Sequence, residues 1–286
     1  TKTMTKILVP FDFSEQAQIA LDFSTAIAAN FGKVHIAVLH VMEIPASSNM
    51  GTMGGGEMMP NMENQIFFVE LINRRKSQIE ELKEKYIAAD FTFSATIKLG
   101  NAFKGISESI VEENPDMVIM GSKGSSGMEE VLIGSNTEKV VRTATCPVIT
   151  LKSAVDPQDL KKIVFASDFR DDNAEIAKRI KHLQELLGAH LYFVVVNTPG
   201  NFETSRESIK RIKEFSAKYD FNNVTAEIYN SSSEESGIIE FAEDVKANLI
   251  AMTTHGRTGF LHLITGSIAE DVVNHAVRPV WTLRTK

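Results

Sequence analysis

Among 286 residues there is one cysteine, Cys146, so an internal disulfide and a zinc site built on paired thiolates are both excluded. It stands directly before Pro147 at the start of an apolar run, which reads as a buried thiol rather than a redox group. Long apolar runs are missing as well: nothing approaches the roughly 18 apolar residues of a membrane helix. Thr1-Lys2-Thr3-Met4 lead into a short apolar run, not the longer one that a secretory signal requires, so a cytoplasmic location without a membrane partner is expected. Positive charge is in short supply. With 30 Lys+Arg against 37 Asp+Glu, the formal net charge of −7 argues against nucleic acid as a partner. The seven histidines show no metal-ligand spacing such as H-E-x-x-H, and no metal site made by protein side chains is expected. The phosphate-loop pattern G-x-x-x-x-G-K-[S/T] is absent, and no group of residues supplies a base to activate water, so no catalytic residue is assigned.

What the chain does contain is a repeat. Gly124, nine residues, then Gly134-Ser135 recurs 132 positions later as Gly256, nine residues, Gly266-Ser267. The match extends to Lys6-Ile7-Leu8-Val9-Pro10-Phe11-Asp12-Phe13 against Lys162-Ile163-Val164-Phe165-Ala166-Ser167-Asp168-Phe169, an offset of 156. Each half alternates short apolar runs with amphipathic stretches, the first of which end at Gly32 and Gly188. This rhythm predicts an α/β fold with two tandem domains, 1–153 and 158–286, each a five-stranded parallel sheet with helices on both faces. The fall in offset from 156 to 132 places about 24 extra residues in the first half, mostly in a Met- and Gly-rich insertion near 49–64. That insertion suits either a loosely packed loop or a binder of a soft metal or an apolar partner.

In a parallel sheet of this kind, ligands sit beyond the carboxyl ends of the strands where the strand order reverses. Asp12 with Gly121-Ser122-Lys123-Gly124, and Asp168 with Thr253-Thr254-His255-Gly256, occupy those ends. A strand, a glycine-bearing loop and a helix start make a cradle for an anion, because glycines admit close backbone approach and the helix start offers unpaired N–H groups. Alternatives exist for each residue. Asp12 also suits a helix N-cap, and the glycines suit plain turns. Ser135 and Ser267, each three residues before a glutamate, read as capping-box N-caps, a use that competes with donation to phosphate by Ser135, Asn136 and Thr137. Lys123 and His255 either neutralise phosphate charge or face solvent.

Val9-Pro10-Phe11-Asp12-Phe13-Ser14, the His40-Val41 strand end, and Met120-Gly121-Ser122-Lys123-Gly124 with nine residues to Gly134-Ser135 together resemble the universal stress proteins in their tandem-domain form. The pattern G-x2-G-x9-G-[S/T] of the ATP-binding branch is complete in the first half, whereas Thr253 replaces the first glycine in the second. The resemblance implies a fold like that of the adenine nucleotide alpha hydrolases, with the halves paired as a pseudo-dimer through Val148-Ile149-Thr150-Leu151 and Val280-Trp281-Thr282-Leu283. It further implies binding of ATP or ADP with Mg. The site residues it implies are Pro10, Asp12, Val41, Met120, Gly121, Ser122, Lys123, Gly124, Gly134, Ser135, Asn136 and Thr137, and in the second half Asp168, Val196, Thr253, Gly256, Gly266 and Ser267. Val41 and Val196 would otherwise read as core residues. The implied function is regulatory, with nucleotide as a conformational signal in a stress response and at most slow hydrolysis; a further homodimer and unknown protein partners are compatible with it. Two other readings compete: an interaction scaffold with empty sites, especially in the second half, and an AMP-transferring enzyme, whose H-x-G-H and S-G-G-x-D signatures are absent.

Overall fold

The computed structural model describes residues 5–43, 62–122, 133–170, 174–253 and 267–284. The first half runs β1 (Thr5–Pro10), α1 (Glu15–Phe31), β2 (Val34–Met42), α2 (Met62–Lys85), β3 (Thr92–Leu99), α3 (Ala102–Glu113), β4 (Met117–Gly121), α4 (Ser135–Thr143) and β5 (Val148–Leu151). A short 3-10 turn, Pro157–Asp159, leads into the second half. There the order is β6 (Lys162–Ala166), α5 (Ala174–Leu187), β7 (His190–Asn197), α6 (Ser205–Lys218), β8 (Val224–Asn230), α7 (Glu234–Asp244), β9 (Leu249–Thr253), α8 (Ser267–His275) and β10 (Val280–Leu283).

Local chemistry sets the element ends. Helix α1 starts where Ser14 accepts a hydrogen bond from the Ala17 N–H, and it buries Ala17, Ala20, Leu21 and Ile27. It stops at Gly32, whose φ of 63° is a left-handed conformation that a side chain would resist. Along β1, alternation sends Ile7 and Val9 into one core and Leu8 into another, as a strand buried on both faces requires.

The strands form one sheet in the order β3-β2-β1-β4-β5-β10-β9-β6-β7-β8. Within each half every pairing is parallel. The halves meet antiparallel at β5 and β10, with Val280 opposite Thr150, Trp281 opposite Ile149 and Thr282 opposite Val148. This is the joint expected from the last-strand segments. It is two-fold in detail: the Thr150 hydroxyl donates to the Val280 carbonyl at 3.3 Å, and the Thr282 hydroxyl donates to the Val148 carbonyl at 3.4 Å. A pseudo-twofold axis therefore passes beside Ile149 and Trp281.

The two faces of the sheet differ. On one, residues of α1 and α5 join Ile149, Trp281 and Leu283 in a single core that spans both halves. On the other, α3 and α4 cover one core (Leu39, Ile106, Val118, Met120, Val140), while α7 and α8 cover a second (Val196, Ile238, Ile250, Met252, Val272). Cys146 lies in the α3/α4 core, and burial pushes its thiol pKa up to about 12, which keeps it protonated. Among the described residues no helix is long and apolar enough to cross a membrane.

Trp281 is the sole tryptophan, is fully buried, and sits at the joint of a core shared by both halves. Urea unfolding followed by its fluorescence and by far-ultraviolet circular dichroism should give coincident transitions. Trp281→Ala should remove about 3–5 kcal/mol of stability. Separate transitions in the unaltered protein would show that the halves unfold independently.

Candidate functional site

In each half the strand order reverses at the first strand: β1 lies between β2 and β4, and β6 between β7 and β9. Helices on opposite faces diverge at such a point and leave a crevice beyond the carboxyl strand ends. In the first half this is a cleft of about 670 Å³ including its open mouth. Pro10, Asp12, Val41, Met120, Gly121, Gly134, Ser135, Asn136 and Thr137 line it, together with Phe11, Ala17, Leu39, Ala102 and Ile106. Nine residues expected at the site from the sequence thus come together. Ser122 lies behind them: it is buried, its N–H donates to the Leu151 carbonyl at 2.8 Å, and its carbonyl accepts from the Gly134 N–H at 2.7 Å. Lys123, Gly124, Gly256 and Gly266 lie outside the described residues, as does most of the Met-rich insertion.

Asp12 is not the helix cap. Its Oδ1 accepts the Ser14 N–H at 3.0 Å, and Ser14 caps α1 in its place. Asp168 repeats this turn, accepting the Arg170 N–H at 3.1 Å. The residue following each aspartate is left-handed, Phe13 at φ 63° and Phe169 at φ 53°. Bulky side chains seldom adopt this conformation, and packing holds them there: Phe13 meets Phe11 and His40 edge-on, while Phe169 meets Phe165, Phe193 and Phe215.

At the other side of the cleft, Gly134 and not Ser135 is the N-cap of α4, and among the described residues no side chain caps this helix. By contrast α1, α3, α6 and α7 are each capped by a Ser, Asn or Thr side chain. The first-turn N–H groups of α4 are thus left for a ligand anion or water. The Ser135 hydroxyl is spared the capping role that the sequence suggested for it. Thr137 differs in the opposite sense: its hydroxyl donates to the Gly121 carbonyl at 3.0 Å in a buried position, so it ties α4 to the end of β4. It offers a ligand no more than its backbone N–H. The equivalent Ala269 is buried too, so its missing hydroxyl is not a missing ligand group.

The glycines carry a packing role that spacing alone did not reveal. A Cβ on Gly121 would lie 2.8 Å from the Gln16 carbonyl oxygen, so this glycine lets the start of α1 close on the end of β4. Gly105 and Gly237 were missed altogether. A Cβ there would lie 2.8 Å from a Val41 methyl and 2.4 Å from a Val196 methyl, respectively. Their separation of 132 matches that of the Gly-Ser pairs, which was the available signal.

The second half brings Asp168, Val196 and Thr253 to the matching strand ends, and Ser267 opens α8. A charged network surrounds Asp168. Arg211 donates to the Asp168 carbonyl at 3.1 Å and makes a two-pronged pair with Glu203, which Arg170 approaches at 3.5 Å. Hydrogen bonds from Arg211 above all pull the Glu203 carboxyl down to about 2. The Asp168 Oδ2 is buried and has no hydrogen-bond partner among the described residues. In the first half Arg75, also on the second helix, instead lies 4.6 Å over the Phe13 ring.

Two expectations follow. Gly105→Val should drive Val41 into the cleft and weaken binding of any ligand there by on the order of tenfold, while a valine at the exposed position 111 has no such effect when replaced; isothermal titration checks this. The second concerns His40, whose Nδ1–H donates to the Phe11 carbonyl at 2.7 Å. Burial lowers its pKa from the ordinary 6.5, outweighing the upward pull of that bond. Unfolded chains then bind more protons than folded ones as pH falls below about 6.5, so stability is full above that value and declines down to the folded pKa. Urea unfolding between about pH 7.5 and about pH 5.5 should show a smaller loss in His40→Asn than in the parent; His35, also lowered by burial, contributes in the same sense.

Comparison with known proteins agrees with this architecture. The Universal stress protein family matches residues 3–152 and again 159–284. Universal stress protein MJ0577 of Methanocaldococcus jannaschii is 31% identical over 154 residues, 51% of this chain and 94% of that protein. Universal stress protein Slr1230 of Synechocystis is 22% identical over 294 residues, 98% of this chain and all of that one. The crystal structure of a universal stress protein from Archaeoglobus fulgidus superposes with a TM-score of 0.73 at 22% identity, covering 98% of both chains. With a tandem match over nearly its whole length and the fold to go with it, the chain belongs to the universal stress protein family.

Proposed function

We propose that this protein binds ATP or ADP as a regulatory signal, with the principal site in the first half. One observation carries the reading: the uncapped start of α4 opens into the same cleft as Asp12. The first supplies N–H donors and the positive end of a helix dipole for phosphate, the second an acceptor for a ribose hydroxyl or the adenine amine. Between them Leu39, Val41, Ala102 and Ile106 give apolar walls on which a base can pack. Gly124 and Lys123 complete the cradle in sequence. Magnesium, when present, would be held by the phosphates and would offset their charge. Among the described residues of the cleft no group stands out as a base for water, which fits a protein that holds nucleotide without rapid turnover.

The second half fits a weaker site of the same kind. The buried Oδ2 of Asp168, without a partner among the described residues, is what a ribose hydroxyl would satisfy, since leaving such an acceptor unmet is costly. Phosphate contacts are poorer, because Ile268 stands where the first half has Asn136. Thr253 stands where Gly121 allows close helix approach.

Titration of two double variants tests both statements. Asp168→Ala with Gly266→Val leaves site one; Asp12→Ala with Gly134→Val leaves site two. The first should bind ATP on the order of tenfold more tightly, as expected when one hydrogen bond to a charged phosphate is lost. Equal affinities would refute the ranking. Absence of ATP binding in the unaltered protein, and of adenine nucleotide in a chromatogram of denatured material, would leave an interaction scaffold as the better description.

A further inference from the structure

The residue just before the cap of α4 is held by the other half of the chain. The Ile133 N–H donates to Asn274 Oδ1 at 2.8 Å, and Asn274 lies in the last turn of α8, which packs against α4. The contact is part of a longer run of bonds. Lys152 Nζ donates to the Asn274 carbonyl, and Gln16 Nε2 donates to the Lys152 carbonyl at 3.2 Å. Gln16 is the residue whose backbone rests against Gly121. Hydrogen bonds thus run from Gln16, which packs against Gly121, through Lys152 and Asn274 to Ile133, beside Gly134, and the path passes through the second half.

Pseudo-symmetry does not account for an asparagine here. The equivalent position in α4 is Arg142, whose guanidinium pairs with Glu270 in the first turn of α8 at 3.7 Å. Arginine donates only and has no lone pair for a backbone N–H. A helix end also favours a cation over an asparagine. What Asn274 adds is an acceptor, and the group it accepts from adjoins the cap of the helix that faces the cleft. Donors aimed at an anion bind it well only when supporting hydrogen bonds fix their direction.

We propose that Asn274 is a positioning residue for nucleotide phosphates in the first half, so that the second half completes site one by fixing the Ile133–Gly134 peptide from which α4 starts. This rests on the reading that site one takes ATP or ADP. It deepens that reading, because the halves would then serve one site jointly.

The test compares ATP with adenosine, which lacks the phosphates. Calorimetry is done on the full chain carrying Asp168→Ala, to weaken the second half's own site, with and without Asn274→Leu, which keeps the bulk and removes the acceptor. ATP affinity should fall by on the order of tenfold while adenosine affinity stays within about twofold. Should the leucine variant not fold, Asn274→Ser, whose hydroxyl is too short to reach Ile133, carries the same expectation. If the Asp168→Ala protein binds neither ligand, the nucleotide reading fails and the positioning role falls with it. If it binds both, and loss of the asparagine changes neither or weakens the two alike, the positioning role alone is overturned.

Discussion

The antiparallel pairing of β5 with β10 is the constraint on which the rest of the structure depends. Without it each half would expose the edge of a parallel sheet ending in a short apolar strand, an arrangement prone to self-association. With it, Ile149 and Trp281 face one another across the joint and the core on one side of the sheet becomes continuous. The same joint brings α4 alongside α8. Everything the halves say to each other at the clefts, Arg142 to Glu270 and Asn274 to Ile133, follows from that adjacency.

The cleft itself comes from close approach as much as from strand order. At Gly121 the start of α1 touches the end of β4, and at Gly105 α3 touches Val41. Both contacts need a residue without a side chain, and both set the width of the crevice between them. Glycines in this site therefore act first as packing residues, with room for a ligand as the consequence.

Much of this was legible in the sequence for a physical reason: the repeat displays each periodicity twice, and β-branched runs alternating with amphipathic stretches leave few topologies open. The element order, the helix stops at Gly32 and Gly188 and the buried thiol of Cys146 follow from local pattern, whereas the last-strand joint is implied only by the family resemblance. What did not follow depends on contacts between distant segments. That Gly134 caps α4 in place of Ser135 is a matter of where the loop turns. That the Thr137 hydroxyl ties back to Gly121 requires β4 and α4 to be placed first. Gly105 sits inside an amphipathic helix, where a glycine carries no periodic signal, and its role appears once Val41 lies beside it. Arg211, reaching 43 positions back to Asp168, is invisible to spacing.

The two halves keep one frame and wire it differently. Both aspartates make the same turn, both are followed by a left-handed phenylalanine, and both have an arginine arriving from the second helix. In the first half that arginine lies on an aromatic face; in the second it is locked to Glu203, whose carboxylate is held ionised far below its ordinary range. A guanidinium stacked on a ring retains donors for other partners, whereas one engaged in a two-pronged pair has most of them committed. The first cleft is thus left with the more adaptable arginine, and the second with a rigid ionic frame around Asp168, whose Oδ2 has no hydrogen-bond partner among the described residues. The backbone frame and the joint are thus common to both halves, while the charged side chains around the two aspartates are not, so the two strand-end crevices differ in the hydrogen-bonding groups they present.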